Sequence, residues 1–330
     1  MAIVFGSNRV GLAAMALVAV AVLVVVVFWV KGCGGKPVEG ARDQTPGLSD
    51  GQGDTQTADT KPPDDGQPVK PILPKPEPIV QKSMYERWYD AGRDAFDRKE
   101  YVAARYQLSR ALKGIENPLR LQAKRQLATI AKELTFSRQI VAGDTTVELY
   151  RVKQGEIPAS VVKDYAITAA LFMKINKIPN EWSMIAGKNY KVIKGPFNVV
   201  VHKKTFELEV FLGDYFITKY PIGLGRDNST PLGEFLAGSR LERPPWPGED
   251  PKTGRKVYIY YGDPDYPLGE HWISLQKDGR DTAYGIHGTD EPETIGGQAS
   301  RGCIRMYDED IAEVFNLLVP GKSQIRVLDD

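Results

Sequence analysis

A histidine and a cysteine stand 16 positions apart near the end of the chain, each bordered by glycine. They lie in Tyr284-Gly285-Ile286-His287-Gly288-Thr289 and Ser300-Arg301-Gly302-Cys303-Ile304-Arg305-Met306. A thiol becomes a nucleophile on losing its proton, and an imidazole can take that proton. Arg301 and Arg305 bring positive charge to the thiol, and a helix starting at Asp308 would add the positive end of its dipole. Gly302 has no Cβ, so its amide and that of Cys303 can point at an oxyanion. A lone cysteine is ordinarily a small buried hydrophobe. Here its neighbours are Arg, Gly and Arg rather than an apolar run, which favours the nucleophile.

Little else in the chain can do chemistry. Two cysteines exclude a disulfide framework and a Cys-rich zinc site. Three histidines leave little for a His-based metal site. His202 at a strand end reads as structural, and His271 in Gly269-Glu270-His271-Trp272 as a surface or packing residue. Gly223-x-Gly225 is too short for a dinucleotide motif and lacks the following helix. No cofactor and no metal are expected. A formal net charge of +1 argues against a nucleic-acid-coating protein.

The elements around the pair read as strands. Asn198–His202, Glu207–Leu212 and Tyr215–Tyr220 carry β-branched and aromatic residues, with Gly213-Asp214 as a two-residue hairpin turn. Short strands follow around 233–236, 257–260, 272–275 and 284–286. Asp308–Leu318 reads as a helix capped by Asp308, and Ser323–Leu328 as a last strand. The pattern predicts a β-sandwich-like sheet with few helices.

With these residues in view, His287-Gly288-Thr289 and Ser300-Arg301-Gly302-Cys303-Ile304-Arg305 resemble the signature of the L,D-transpeptidases of bacterial cell-wall synthesis, the YkuD-like catalytic domain. Tyr220–Gly225 and Thr230–Phe235 match its upstream elements, and the resemblance covers 195–330. Many members carry His where this chain has Arg301, which leaves His287 as the base within the motif. The resemblance implies a mechanism. Cys303 attacks the carbonyl of the third residue, usually meso-diaminopimelate, of a donor peptidoglycan stem. The Gly302 and Cys303 amides stabilise the oxyanion, and His287, oriented by the Gly288 carbonyl, shuttles the proton. Released D-Ala gives way to an acceptor amine. Arg305 binds a substrate carboxylate or holds the loop through an internal ion pair; Ser300, Arg301 and Thr289 are further substrate-binding candidates.

The rest of the chain predicts a multidomain protein. Residues 1–31 hold an apolar run, Gly11–Val30, of 20 uncharged residues, about the 30 Å of a bilayer core as a helix. It reads as a transmembrane anchor; Cys33 only faintly fits a lipoprotein site. Residues 32–80 lack Phe, Trp and Tyr and are rich in Pro and Gly, a disordered linker. Residues 81–140 read as an α-helical spacer resembling a tetratricopeptide unit, with a possible protein partner. Residues 149–194, in strand–helix–helix–strand order, resemble a small α/β (βααβ) LysM module, with Tyr150 and Asn176 as glycan-binding candidates. A mainly-β catalytic domain completes the order.

Charges flanking the apolar run would weakly hold the bulk of the chain in the cytoplasm. The substrate implied by the resemblance lies outside, so a single-pass membrane protein with its catalytic domain in the periplasm or cell wall is expected. The partners are then peptidoglycan stem peptides, glycan and the cytoplasmic membrane. Two alternatives stay open: an L,D-carboxypeptidase using water on the same thioester, and an inactive wall-binding scaffold.

Overall fold

Ser83 opens the first helix by a reciprocal cap: its hydroxyl accepts from the Glu86 N–H at 3.2 Å, and its own N–H donates to the Glu86 carboxylate at 2.7 Å. The computed structural model describes residues 81–249 and 253–330, all within one compact unit, Pro76–Asp330. The expected anchor and linker lie outside the described residues. Among those residues, no helix is long and apolar enough to cross a membrane.

Helices α1 (Met84–Asp97), α2 (Tyr101–Ala111) and α3 (Leu119–Leu134) come first. Gly92 lets α1 and α2 touch; a Cβ there would come within 2.7 Å of Leu108. Their apolar stripes meet at Tyr89, Leu108, Leu127 and Ile130, and Phe216 from a strand of the following sheet sits in the same cluster. The helices are therefore docked on that sheet.

Strand β1 (Val147–Arg151), helices α4 (Pro158–Val162) and α5 (Ala169–Asn176) and strand β2 (Asn189–Ile193) follow. β1 and β2 pair antiparallel, Tyr150 opposite Tyr190. The Thr168 hydroxyl accepts from the Leu171 N–H at 3.1 Å, capping α5. Buried Lys191 donates to the carbonyls of Leu134, Ser137 and Gln139, closing the end of α3. Burial pushes its pKa down to about 8.

The remaining strands are β3 (Phe197–His202), β4 (Glu207–Leu212), β5 (Tyr215–Pro221), β6 (Leu224–Gly225), β7 (Gly233–Glu242), β8 (Trp246–Glu249) and β9 (Lys256–Ile259). After them come β10 (His271–Lys277), β11 (Arg280–His287), β12 (Gln298–Ser300), β13 (Ile304–Arg305), helix α6 (Asp308–Leu317) and β14 (Gln324–Leu328). Eight of them form one mixed sheet, ordered β13-β11-β10-β7-β14-β3-β4-β5, with β6–β12 and β8–β9 as separate pairs. The sandwich-like expectation gives way to a single sheet. One of its faces is covered by α6, through Ile311, Val314 and Phe315, so no second sheet is needed to bury it.

Candidate active site

The site is built where β13 joins β11. The two strands run parallel, with Ile286 opposite Ile304 and His287 opposite Arg305. The Met306 N–H donates to the His287 carbonyl at 2.9 Å. Continuing the register by one residue sets Cys303 opposite Gly285. Paired residues share a face and alternate residues return to it. Cys303 and His287 thus project from one face, two residues apart on neighbouring strands. The Gly285 N–H contacts the Cys303 sulfur.

His287 is 4 % exposed. Its Nδ1 lies 2.6 Å from the Gly288 carbonyl oxygen, so Nδ1 carries the proton and Nε2 keeps its lone pair. Burial pushes the imidazole down to about 4, with the Gly288 carbonyl working against it and the Arg305 charge adding to it. Burial pushes the Cys303 thiol up; the Gly285 N–H and Arg305 offset only part of this. Both shifts favour a neutral thiol and a neutral imidazole on this face, whereas the two arginines close in sequence favoured a thiolate. A low-polarity site disfavours both charged forms.

The helix dipole is no help either. α6 starts at Asp308, with Tyr307 as its N-cap and no side-chain cap bond, so Asp308 is not the cap. Asp308, Glu309 and Asp310 crowd its first turn and offset its positive end. Asp308 instead accepts from the Thr289 N–H.

The loop before Cys303 is self-contained. The Ser300 hydroxyl donates to the Cys303 carbonyl at 2.7 Å and accepts from the Gly302 N–H at 3.0 Å. This corrects two expectations. Ser300 is buried and spent on the loop, and the Gly302 amide is occupied rather than aimed at an oxyanion. The Cys303 N–H has no hydrogen-bond partner among the described residues. Gly302 has φ +124°, and a Cβ would fall 2.4 Å from the Tyr284 ring.

Of the other candidates, Arg305 takes the second of its two alternatives. Its guanidinium donates to Glu291 at 2.5 Å and to the Thr294 hydroxyl at 3.2 Å. The Thr289 hydroxyl accepts from the Glu291 N–H at 3.0 Å, closing the same turn rather than facing a substrate. Arg301 is exposed. Far from this site, Asn176 is 5 % exposed and saturated: it donates to the Phe172 and Lys191 carbonyls and accepts from the Lys191 N–H. It cannot meet a glycan. The Tyr150 hydroxyl donates to Glu156, whose carboxylate oxygens lie 2.9 and 3.1 Å away.

His271 leaves β10 on the face opposite Trp272, against Phe315 of α6 at 4.6 Å between ring centroids. It cannot reach Cys303. His202 sits between Asp330 at 2.8 Å and Glu209 at 3.4 Å. Sequence reasoning missed Glu291, Trp272 and Gly225. A Cβ on Gly225 would come within 2.6 Å of Gly302 Cα, which explains a glycine there; nothing local marks Glu291 as the partner of Arg305.

The sequence that builds this site matches a known family. Residues 196–327 match the YkuD model, the L,D-transpeptidase catalytic domain. The chain is 35 % identical over 163 residues to the L,D-transpeptidase YqjB of Bacillus subtilis, spanning 49 % of this chain and 84 % of that protein. It is 30 % identical over 187 residues to the L,D-transpeptidase YkuD of Bacillus licheniformis, spanning 54 % and 98 %. A solved L,D-transpeptidase from Mycobacterium smegmatis aligns over 44 % of this chain and 64 % of that one, at 16 % identity and a TM-score of 0.33. The chain belongs to the L,D-transpeptidase (YkuD) family, cysteine-dependent acyl-transfer enzymes.

Proposed function

We propose that this chain is a peptidoglycan L,D-transpeptidase with Cys303 as nucleophile and His287 as its general acid and base. One observation carries the reading. The thiol and an imidazole held in the Nδ1–H tautomer project from one face of adjacent parallel strands. Sγ attacks the carbonyl carbon of the third stem residue while its proton passes to His287 Nε2. The carbonyl electron pair moves to oxygen, and the Cys303 N–H donates to the resulting oxyanion. Collapse breaks the C–N bond to the terminal D-Ala, whose nitrogen takes the proton from His287. An acceptor amine then attacks the thioester and gives its proton to His287. The thiolate leaves and recovers that proton.

Neutral resting groups suit this cycle. Charge appears only when substrate is bound, in a site already organised around it. Arg301, exposed and two residues before Cys303 in sequence, would bind a substrate carboxylate. In this reading the segment 11–30 anchors the chain with its catalytic end outside the cytoplasmic membrane. The helices α1–α3 offer a surface to a protein partner. Glycan contact by the βααβ segment falls to its surface residues, among them Trp182, which is 82 % exposed.

The test is incubation of the purified full-length chain in detergent with a disaccharide-tetrapeptide, products read by mass. Loss of D-Ala with joining of two stems is expected. Loss of D-Ala with gain of water would make it the carboxypeptidase. A carbapenem-type β-lactam should add its mass to the chain, and Cys303→Ala should abolish both reactions while Cys33→Ala leaves them. An adduct that survives Cys303→Ala would overturn the assignment.

A further inference from the structure

Trp272 lies directly opposite His287 in the β10–β11 ladder. The two rings stack, with centroids 5.4 Å apart and planes 18° from parallel. The indole also extends over Gly285; a Cβ there would fall 2.5 Å from its six-membered ring. It therefore covers the stretch of β11 between the residue whose N–H meets the Cys303 sulfur and the imidazole itself. The indole is fixed in turn. Its Nε1–H donates to the Ser274 hydroxyl at 2.9 Å. Ser274 is buried and hydrogen-bonds to Asp281, whose carboxylate also accepts from the Ser239 N–H at 3.2 Å. None of these groups belongs to the Cys303 loop or the Gly288 turn.

We infer that Trp272 is a positioning residue for the reaction, held by Ser274 and Asp281 so that its indole fixes the plane of the His287 ring and faces the charge that ring takes from the thiol. The inference rests on His287 being the proton acceptor for Cys303. The Gly288 carbonyl fixes one atom of the imidazole, and rotation about its ring axis is left to the stack. The hydrogen bond holds the Nδ1–H tautomer only while the stack keeps the ring plane in line with the Gly288 carbonyl. An aromatic face also attracts a cation lying over it. The imidazolium formed during attack is disfavoured by burial, and here it is born against the largest aromatic face available. The Ser274–Asp281 chain, ending in a carboxylate, keeps the indole N–H turned away and its ring electron-rich.

The test uses the full-length chain and four variants: Trp272→Phe, Trp272→Leu, Ser274→Ala and Asp281→Asn. Two readouts do not depend on peptidoglycan chemistry. One is the rate of Cys303 alkylation by iodoacetamide across pH. The other is the ¹⁵N spectrum of His287, which reports its tautomer. Wild type should show a single Nδ1–H tautomer and imidazole-assisted alkylation. Trp272→Leu should give averaged ring nitrogens and alkylation about tenfold slower at pH 7, with Trp272→Phe losing less because a ring face remains. Ser274→Ala and Asp281→Asn should move both readouts in the same direction, and less. If Trp272→Leu does not fold, Trp272→Phe and Ser274→Ala carry the same test. Wild-type tautomer and alkylation profile in folded Trp272→Leu, or in both milder variants, would overturn the inference. A β-lactam adduct measured on the same samples separates this from failure of the transpeptidase reading. Wild type that forms the adduct while Trp272→Leu matches it in tautomer and alkylation rate would sink this proposal alone.

Discussion

As the proposed general base, His287 sets the expected acid limb of an activity profile. Its pKa is held near 4 by burial, against an ordinary value of 6.5. The general base should stay neutral, and turnover should persist, well below the pH at which a free histidine protonates. The fall in kcat/KM should come near pH 4, and a fall centred near 6.5 would contradict the burial argument. His287→Ala should cost on the order of 10²–10⁴ in turnover, whereas His271→Ala should leave the rate unchanged because it faces α6. The same group affects stability. Between about 6.5 and 4 the unfolded chain takes a proton that the folded chain refuses, so stability should fall by about 3 kcal/mol as pH drops through that window. Gly302 is the second single-residue test. At φ +124° and against Tyr284, Gly302→Ala must move either the ring or the loop. A cost of about 1–3 kcal/mol in urea unfolding is expected, with slower alkylation of Cys303.

At the level of elements, β13 matters more than its two residues suggest. It is short, yet its parallel register with β11 is what aligns thiol and imidazole. It is held on its other side by the Arg305–Gly223 bridge, in which each residue donates its N–H to the other's carbonyl at 2.9 Å. The pair α5 and β2 shows the opposite case, a residue type that suggested recognition but serves the fold. Asn176 ties the end of α5 to β2 by two side-chain hydrogen bonds to the Lys191 backbone and a third back to the Phe172 carbonyl of α5. Asn176→Ala should lower stability by about 2 kcal/mol, because it leaves buried backbone groups without partners. Thermal unfolding should show the loss, while binding to purified sacculi by the folded variant should not change.

Across the whole molecule, charges join the helices to the sheet. Lys124 of α3 pairs with Glu209 of β4, which also faces His202. Burial alone would raise the Glu209 carboxyl, but His202 and Lys124 outweigh it and pull the pKa down to about 2. A depressed carboxylate contributes stability that is complete above about 4.5 and is lost as pH falls toward 2. His202 is raised by the same contact, so its share is complete below 6.5 and is lost as pH climbs through its raised value. Glu209→Gln should therefore destabilise the chain at pH 7 by about 3 kcal/mol, since it strands a nearly buried lysine. It should also flatten the acid limb below pH 4.5. Urea midpoints across pH measure both; an unchanged midpoint at pH 7 would mean that the helices dock by apolar contact alone.

His287, Cys303 and their flanking glycines stood out in order and type, because such groups in polar, turn-rich sequence contrast with apolar strands. The hairpin turn at Gly213-Asp214 and helices α1–α3 were legible for a related reason: turn chemistry and apolar spacing are local. What the tertiary structure alone decided is every property that depends on partners distant in sequence. The Gly302 amide, the Ser300 hydroxyl and the Arg305 guanidinium each had a chemical role open to them. Which role they took depended on which atoms the fold brought within hydrogen-bond reach. The protonation of Cys303 and His287 turned the same way. Two arginines close in sequence suggested a thiolate, but burial outweighs the charge of Arg305. Desolvation is a property of the whole packed volume, and no short stretch of sequence contains it.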